Sequence, residues 1–289
     1  MQRHLIVTAD DFGLHQSVNE AVEQASRGGI LTAASLMVAG PAAADAVRRA
    51  RRLPNLRVGL HVVLADGLAS LPHQQIPSIA DTDGRMGEDM FFRGVRYFAS
   101  ASARRQLEAE IRAQFQAFAR TGLPLDHINA HKHFHLHPTI LGILIRAARE
   151  FGARAMRVPD EPFWYAARSG HWDAAAGTLL MPWLMLMKHR LRAAGIFHND
   201  SVFGIAGSGC MDEEQLLAIL ARLPRGVTEI YLHPATASGA AVAPSMGTYR
   251  HADELAGLLS ARVREAVTAL NVRRGGYGDI MRSIGRSLA

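Results

Sequence analysis

Short, continuously apolar runs alternate along this chain with segments whose apolar residues recur every three to four positions. Leu5–Ala9, Ala33–Val38, Leu56–Leu60, Asp126–Ala130, Ala155–Val158 and Thr228–Leu232 form the first set, and each predicts a strand. Ser17–Arg27, Ala42–Arg52, Arg104–Arg120, Thr139–Phe151, Asp212–Leu223 and Ala252–Leu270 form the second, and each predicts a helix. Ser17 with Glu20 fits a capping box, while Gly28, Pro54 and Gly152 are stop signals. Strands covered on both faces read as unbroken apolar runs, and strands alternating with helices build a parallel sheet. The expected fold class is α/β, a distorted parallel (β/α) barrel, with residues 1–289 as a single domain. Barrels of this kind commonly take about 250 residues. Residues 64–100 read as a long irregular loop and residues around 160–210 as an insertion.

Composition narrows the setting. Cys210 is the only cysteine, which excludes an intramolecular disulfide and a four-thiolate zinc site. The formal charge is +6, and Lys132 and Lys188 are the only lysines, so the positive charge is almost all arginine. That balance permits an anionic partner without requiring one, and nothing points to nucleic acid. The apolar stretch after Met1 is too short for a signal peptide, and Leu179–Met187 is too short to span a bilayer. A cytoplasmic protein is expected.

The chemistry lies at strand ends. Asp10 and Asp11 follow the first strand, and His61, His131 and His233 close three others. In a parallel barrel the C-terminal strand ends meet at one face, so residues far apart in sequence converge there. Singly, each has an ordinary reading: an Asp-Asp pair before Gly13 is a turn signal, and one histidine is a loop residue. Together, a carboxylate and two imidazoles suit a catalytic divalent metal. A second carboxylate is then available as a base and a further histidine as an acid. In the run from His131 to His137, His133 and His135 compete with His131 for the ligand position. His131 is preferred because Pro138 marks the run as a loop before a helix. The donor set suits Zn²⁺, with Mg²⁺ also open.

Thr8-Ala9-Asp10-Asp11-Phe12-Gly13, Gly59-Leu60-His61, Asn129 to Pro138 and Leu232-His233-Pro234 together resemble the YdjC-like carbohydrate deacetylases. Thr32–Val38 and Leu123–His127 resemble the hopanoid-biosynthesis-associated branch of that family. The resemblance implies a barrel of the glycoside hydrolase/deacetylase type and one divalent metal on Asp11, His61 and His131. It implies Asp10 as general base, His233 as general acid and Arg157 as the residue that orients the base. The implied reaction removes the acetyl group from an N-acetylglucosamine unit, on a hopanoid lipid or on a soluble chitooligosaccharide. Many relatives carry Asp at position 129 and His at position 132, where this chain has Asn129 and Lys132.

Residues 179–198 pair an apolar half, containing Trp183, Leu184 and Met187, with a basic half containing Lys188, Arg190 and Arg192. Such a segment suits peripheral contact with a membrane, or it is a core helix with a basic exit. Two other functions stay open on the residues alone. A hydrolase of another bond, such as a phosphoester, would ask for a second metal and more carboxylates. A non-catalytic carbohydrate-binding protein would have no use for both Asp10 and His233.

Overall fold

A computed structural model describes residues 2–167, 174–236 and 242–285, the side chains of 174–179 excepted. Its strands are β1 (Arg3–Phe12), β2 (Ala33–Leu36), β3 (Arg57–Val62), β4 (Gly67–Leu68), β5 (Arg85–Met86), β6 (Ile128–Ala130), β7 (Ser201–Phe203), β8 (Gly226–Leu232) and β9 (Arg273–Arg274). The helices are α1 (Gln16–Gly28), α2 (Ala43–Ala50), α3 (Met90–Ala99), α4 (Ala101–Arg120), α5 (Pro138–Phe151), α6 (Phe163–Ala166), α7 (Ala174–Ala193), α8 (Glu213–Ala221), α9 (His251–Leu259), α10 (Ala261–Ala269) and α11 (Tyr277–Ser283). The main sheet runs β6-β3-β2-β1-β8-β7, all parallel, and β9 joins the start of β1. The sheet curls. Parallel bridges Ile128–Met156 and Ala155–Phe197 carry the curl past β6 toward the residues that enter β7, so the barrel is distorted and partly closed.

Burial on both faces explains why the strands are not alternating in sequence: β1 from His4 onward and all of β8 are buried. The two faces nevertheless differ. Leu5, Val7, Ala9, Ile230 and Leu232 join the large apolar core. The opposite faces carry Thr8 and Asp10 on β1, and Glu229 and Tyr231 on β8, with His233 next in step. These inward residues stack in layers. Ile6, Ala33, Ala155, Phe197 and Val227 form an apolar floor, and the polar groups lie above it toward the C-terminal strand ends. Gly59 has no side chain because His127 fills the space: a Cβ there would lie 2.5 Å from the imidazole.

Several expectations need correction. The first strand continues through Asp11 to Phe12. The cap of α1 is His15, whose Nδ1 accepts from the Ser17 amide at 3.1 Å, so Ser17 and Glu20 form no capping box. Residues 64–100 are not irregular: they hold the β4–β5 hairpin and α3. Residues 160–210 are not purely an insertion, because they contain β7, one of the barrel strands, along with α6 and α7. A three-residue strand is too short to show a pattern. Ala155–Val158 forms only isolated bridges. The helix expected over 252–270 breaks at Ser260, which caps α10 by accepting from the Val263 amide. No helix among the described residues is long and apolar enough to cross a membrane.

Candidate active site

Adjacent residues on a strand point to opposite faces, so Asp10 and Asp11 would normally diverge. They do not, because Asp11 takes a left-handed φ of 61° and the β1–β2 register breaks between Ala9 and Phe12. Such a conformation in a non-glycine residue costs of order 1 kcal/mol and persists only where the surroundings enforce it. Here it turns both carboxylates into one pocket. A second irregularity follows β6, where Lys132 and His133 have φ of 54° and 53°. It separates the four histidines of that run. His131 faces Asp11, His133 Nε2 meets the Tyr231 hydroxyl at 2.9 Å, and His135 Nε2 meets the Arg157 carbonyl at 3.1 Å. Neither His133 nor His135 belongs to the donor cluster.

Asp11, His61 and His131 offer ligand atoms that all lie within 4.8 Å of one another, and all three residues are buried. His61 Nε2 is 3.2 Å and His131 Nδ1 3.1 Å from Asp11 Oδ1. Yet neither Asp11 oxygen has a hydrogen bond of acceptable geometry. Buried carboxylate oxygens without partners are rare and costly. Three donors aimed at common space, rather than at each other, are what a divalent cation requires, and the set fits one. Asn129 orients the cluster: its Oδ1 accepts from His61 Nδ1 at 2.6 Å, which leaves Nε2 as the free ligand atom.

Asp10 has a different environment. Arg157 donates Nη1 to its Oδ2 at 2.5 Å and Nη2 to its Oδ1 at 3.0 Å, and Asn129 Nδ2 donates at 3.1 Å. Burial alone would raise this carboxyl, but Arg157 outweighs it and holds Asp10 well below the ordinary carboxylate range. Arg157 is fully buried and also grips Glu229, through Nε and Nη2 at 2.8 Å each. Its guanidinium lies 4.5 Å from the centre of the Tyr231 ring. On the far side, His233 Nε2 is 3.9 Å from Asp11 Oδ2. The His233 backbone is clamped: its amide donates to Glu254 at 2.5 Å and its carbonyl accepts from His251 at 2.5 Å. Burial lowers the His233 imidazole, opposed by Asp11 and Asp10.

Thus the structure brings Asp10, Asp11, His61, His131, Arg157 and His233 to one end of the barrel. Residues 4–269 match the sequence profile of YdjC-like proteins. The chain belongs to the YdjC-like family. A carbohydrate deacetylase of Brevibacillus brevis is 41% identical over 160 residues, which are 55% of this chain and 59%, less than two thirds, of that protein. A chitooligosaccharide deacetylase of Klebsiella pneumoniae is 30% identical over 281 residues, which are 97% of this chain and 100% of that protein. Among solved structures, one from Enterococcus faecalis described as a cellobiose-phosphate cleavage protein superposes with a TM-score of 0.77. That match is 22% identical and covers 97% of this chain and 99% of the other, so it speaks to the fold.

Sequence reasoning missed Glu229, Glu254 and Tyr277 as parts of this YdjC-like site, and met Asn129 only as a departure from the family pattern. For Glu229 a signal existed. A charge inside the apolar run Val227–Leu232 demands a buried partner, and Arg157 is a second such charge.

Proposed function

We propose that this YdjC-like protein is a metal-dependent carbohydrate deacetylase, hydrolysing the N-acetyl group of an N-acetylglucosamine unit to acetate and an amino sugar. The observation that carries the reading is the contrast between the two neighbouring carboxylates. Asp11 has free oxygens facing His61 and His131, whereas Asp10 is hydrogen-bonded by Arg157 and Asn129. One is suited to hold a cation and the other to accept a proton. A divalent ion on Asp11, His61 and His131, Zn²⁺ by donor type, would polarise the amide carbonyl and acidify water beside it. Asp10 takes a proton from the attacking water, and Arg157 keeps the carboxylate ionised and fixed. His233, across the cluster, delivers a proton to the departing nitrogen, which leaves poorly as an anion. Lys132 sits 2.6 Å from Asp66, the next carboxylate along the rim, and neutralises it. That favours one metal over two, and an amide over a phosphoester.

The test is acetate release from N-acetylated chitooligosaccharides alongside metal analysis of the purified protein. A chain with bound metal but no acetate release on any N-acetylated sugar would overturn the reading. His233→Ala should keep its metal and lose about 10²–10⁴-fold in kcat. A near-normal rate would remove His233 from the mechanism.

A lipid-linked acceptor is the finer part of the proposal, and exposed apolar side chains support it. Phe91, Phe92 and Phe98 on α3 are 75%, 71% and 68% exposed, and Met185 on α7 is 65% exposed. Both helices flank one turn: Gly94 of α3 packs against His137, and Trp183 of α7 donates Nε1 to the Leu136 carbonyl at 2.8 Å. Exposed apolar groups that cluster mark binding surfaces. The residues differ from those expected. Leu184 and Met187 are core, and Lys188 is paired with Asp160. Replacing Phe91, Phe92 and Met185 by serine should therefore lower activity on a lipid-linked N-acetylglucosamine far more than on a soluble chitooligosaccharide. Equal losses would refute the lipid acceptor.

A further inference from the structure

The family match ends at residue 269, yet the chain runs on into β9 and α11. β9 pairs with the beginning of β1, through His4–Arg273 and Leu5–Arg274. The Asp126 carboxylate then accepts the amides of Tyr277 and Gly278, each at 2.9 Å, and pins the start of α11 beneath the barrel. Tyr277, Ile280 and Met281 complete the apolar floor with Ile6, Phe197 and Val227. Closing a floor needs only apolar bulk, but Tyr277 brings a hydroxyl as well. The residue is fully buried, and the hydroxyl donates to Glu229 Oε2 at 2.5 Å. Phenolic donors to a carboxylate at this range are charge-assisted and among the stronger hydrogen bonds.

Glu229 is the hub of this contact. Its Oε1 accepts from Thr8 Oγ1 at 2.6 Å and from Arg157 Nη2 at 2.8 Å. Its Oε2 accepts from Arg157 Nε at 2.8 Å and from Tyr277. The edges of the Arg157 guanidinium are divided between Glu229 and Asp10, so the orientation of one carboxylate constrains the other. We propose that Tyr277 is a positioning residue for Asp10, acting through Glu229 and Arg157. A segment outside the family match thereby fixes the angle of the base. This rests on Asp10 being the base. Without the Tyr277 hydroxyl, Glu229 Oε2 keeps one donor, its carboxylate can rotate, and the Arg157 plane tilts away from Asp10.

Tyr277→Phe tests the link, because the ring stays in place against His127 and Phe197, whose centroids lie 5.0 Å and 6.3 Å away. Full-length protein should show kcat lowered about tenfold, within the 10–100-fold range by which supporting groups act, with KM and metal content unchanged. In a Glu229→Gln background the same substitution should cost less than about twofold, since residues in one network are not additive. An unchanged kcat, or a loss that repeats in full in that background, would overturn the proposal and leave Tyr277 as packing. Absence of acetate release from the wild-type protein would instead overturn the functional reading. The positioning link is then read by NMR from solvent exchange of the Arg157 Nε proton. Faster exchange in Tyr277→Phe supports it, and unchanged exchange overturns it.

Discussion

Asp11→Ala should lose bound metal and turnover together, whereas Asp10→Asn should keep its metal and lose turnover alone. The two residues are neighbours in sequence and equally buried, so neither position nor exposure separates them. Their partners do. The Asp10 oxygens accept from Arg157 and Asn129, and lone pairs committed to those donors are not offered to a cation. The Asp11 oxygens have no hydrogen-bond donor, and two imidazole nitrogens lie within 3.2 Å. Removing Asp11 takes away the one anionic ligand of the three. On the proposed reading, removing the Asp10 charge leaves the metal-binding set intact and deprives the reaction of its base, a loss of about 10²–10⁴-fold. Metal content and acetate release measured on the same preparations decide it. An Asp10→Asn protein within tenfold of wild type, or an Asp11→Ala protein with full metal, would reverse or erase the assignment.

Much of the fold was readable because periodicity survives burial. The long strands β1, β3 and β8 and the helices α1, α4 and α5 are strongly patterned, and each lies close to where the pattern puts it. What was lost is short or broken. β7 spans three residues, and α3 exposes Phe91, Phe92 and Phe98, so its apolar pattern does not mark a core face. The convergence of Asp10, Asp11, His61, His131 and His233 was legible from strand-end positions alone. The proposed division of roles between Asp10 and Asp11 came from the family resemblance and not from position, because their different surroundings depend on a left-handed turn at Asp11 and on where Arg157 arrives. His131 was preferred over His133 and His135 from Pro138, and the two left-handed residues after it supply the physical reason, since they redirect the chain and turn the other two away. Tyr277 lies about fifty residues beyond Glu229, in a segment where no strand or helix had been expected. Nothing local in Gly276-Tyr277-Gly278 announces a buried hydroxyl.

Arg157→Met should cost about 3–5 kcal/mol of stability, the typical penalty for stripping one partner from a buried ion pair. Here the penalty falls on two groups. Asp10 and Glu229 are both buried carboxylates held low chiefly by this guanidinium, with His61 and His233 adding at Asp10 and His127 and Thr8 at Glu229, against a burial effect that would raise them. Arg157→Lys should be less damaging to the fold and almost as damaging to turnover. An ammonium supplies charge but not the planar fork that grips Asp10 and Glu229 at once. The informative variant removes all the charges together. Buried ion networks replaced by apolar residues of similar volume are often as stable as before. A protein carrying Asp10→Leu, Arg157→Met and Glu229→Leu, with Thr8→Val to avoid an orphaned hydroxyl, should regain most of the stability lost in Arg157→Met, since the Tyr277 hydroxyl keeps Asn199 Oδ1 as a partner at 3.1 Å. It should still bind metal through Asp11, His61 and His131 while releasing no acetate. Denaturant unfolding of the two variants beside wild type gives the comparison. If the fully apolar protein is no more stable than Arg157→Met, the network is part of what holds the barrel together. If it recovers, the charges serve to keep Asp10 ionised and aimed, and a YdjC-like barrel accepts their burial for the sake of the base.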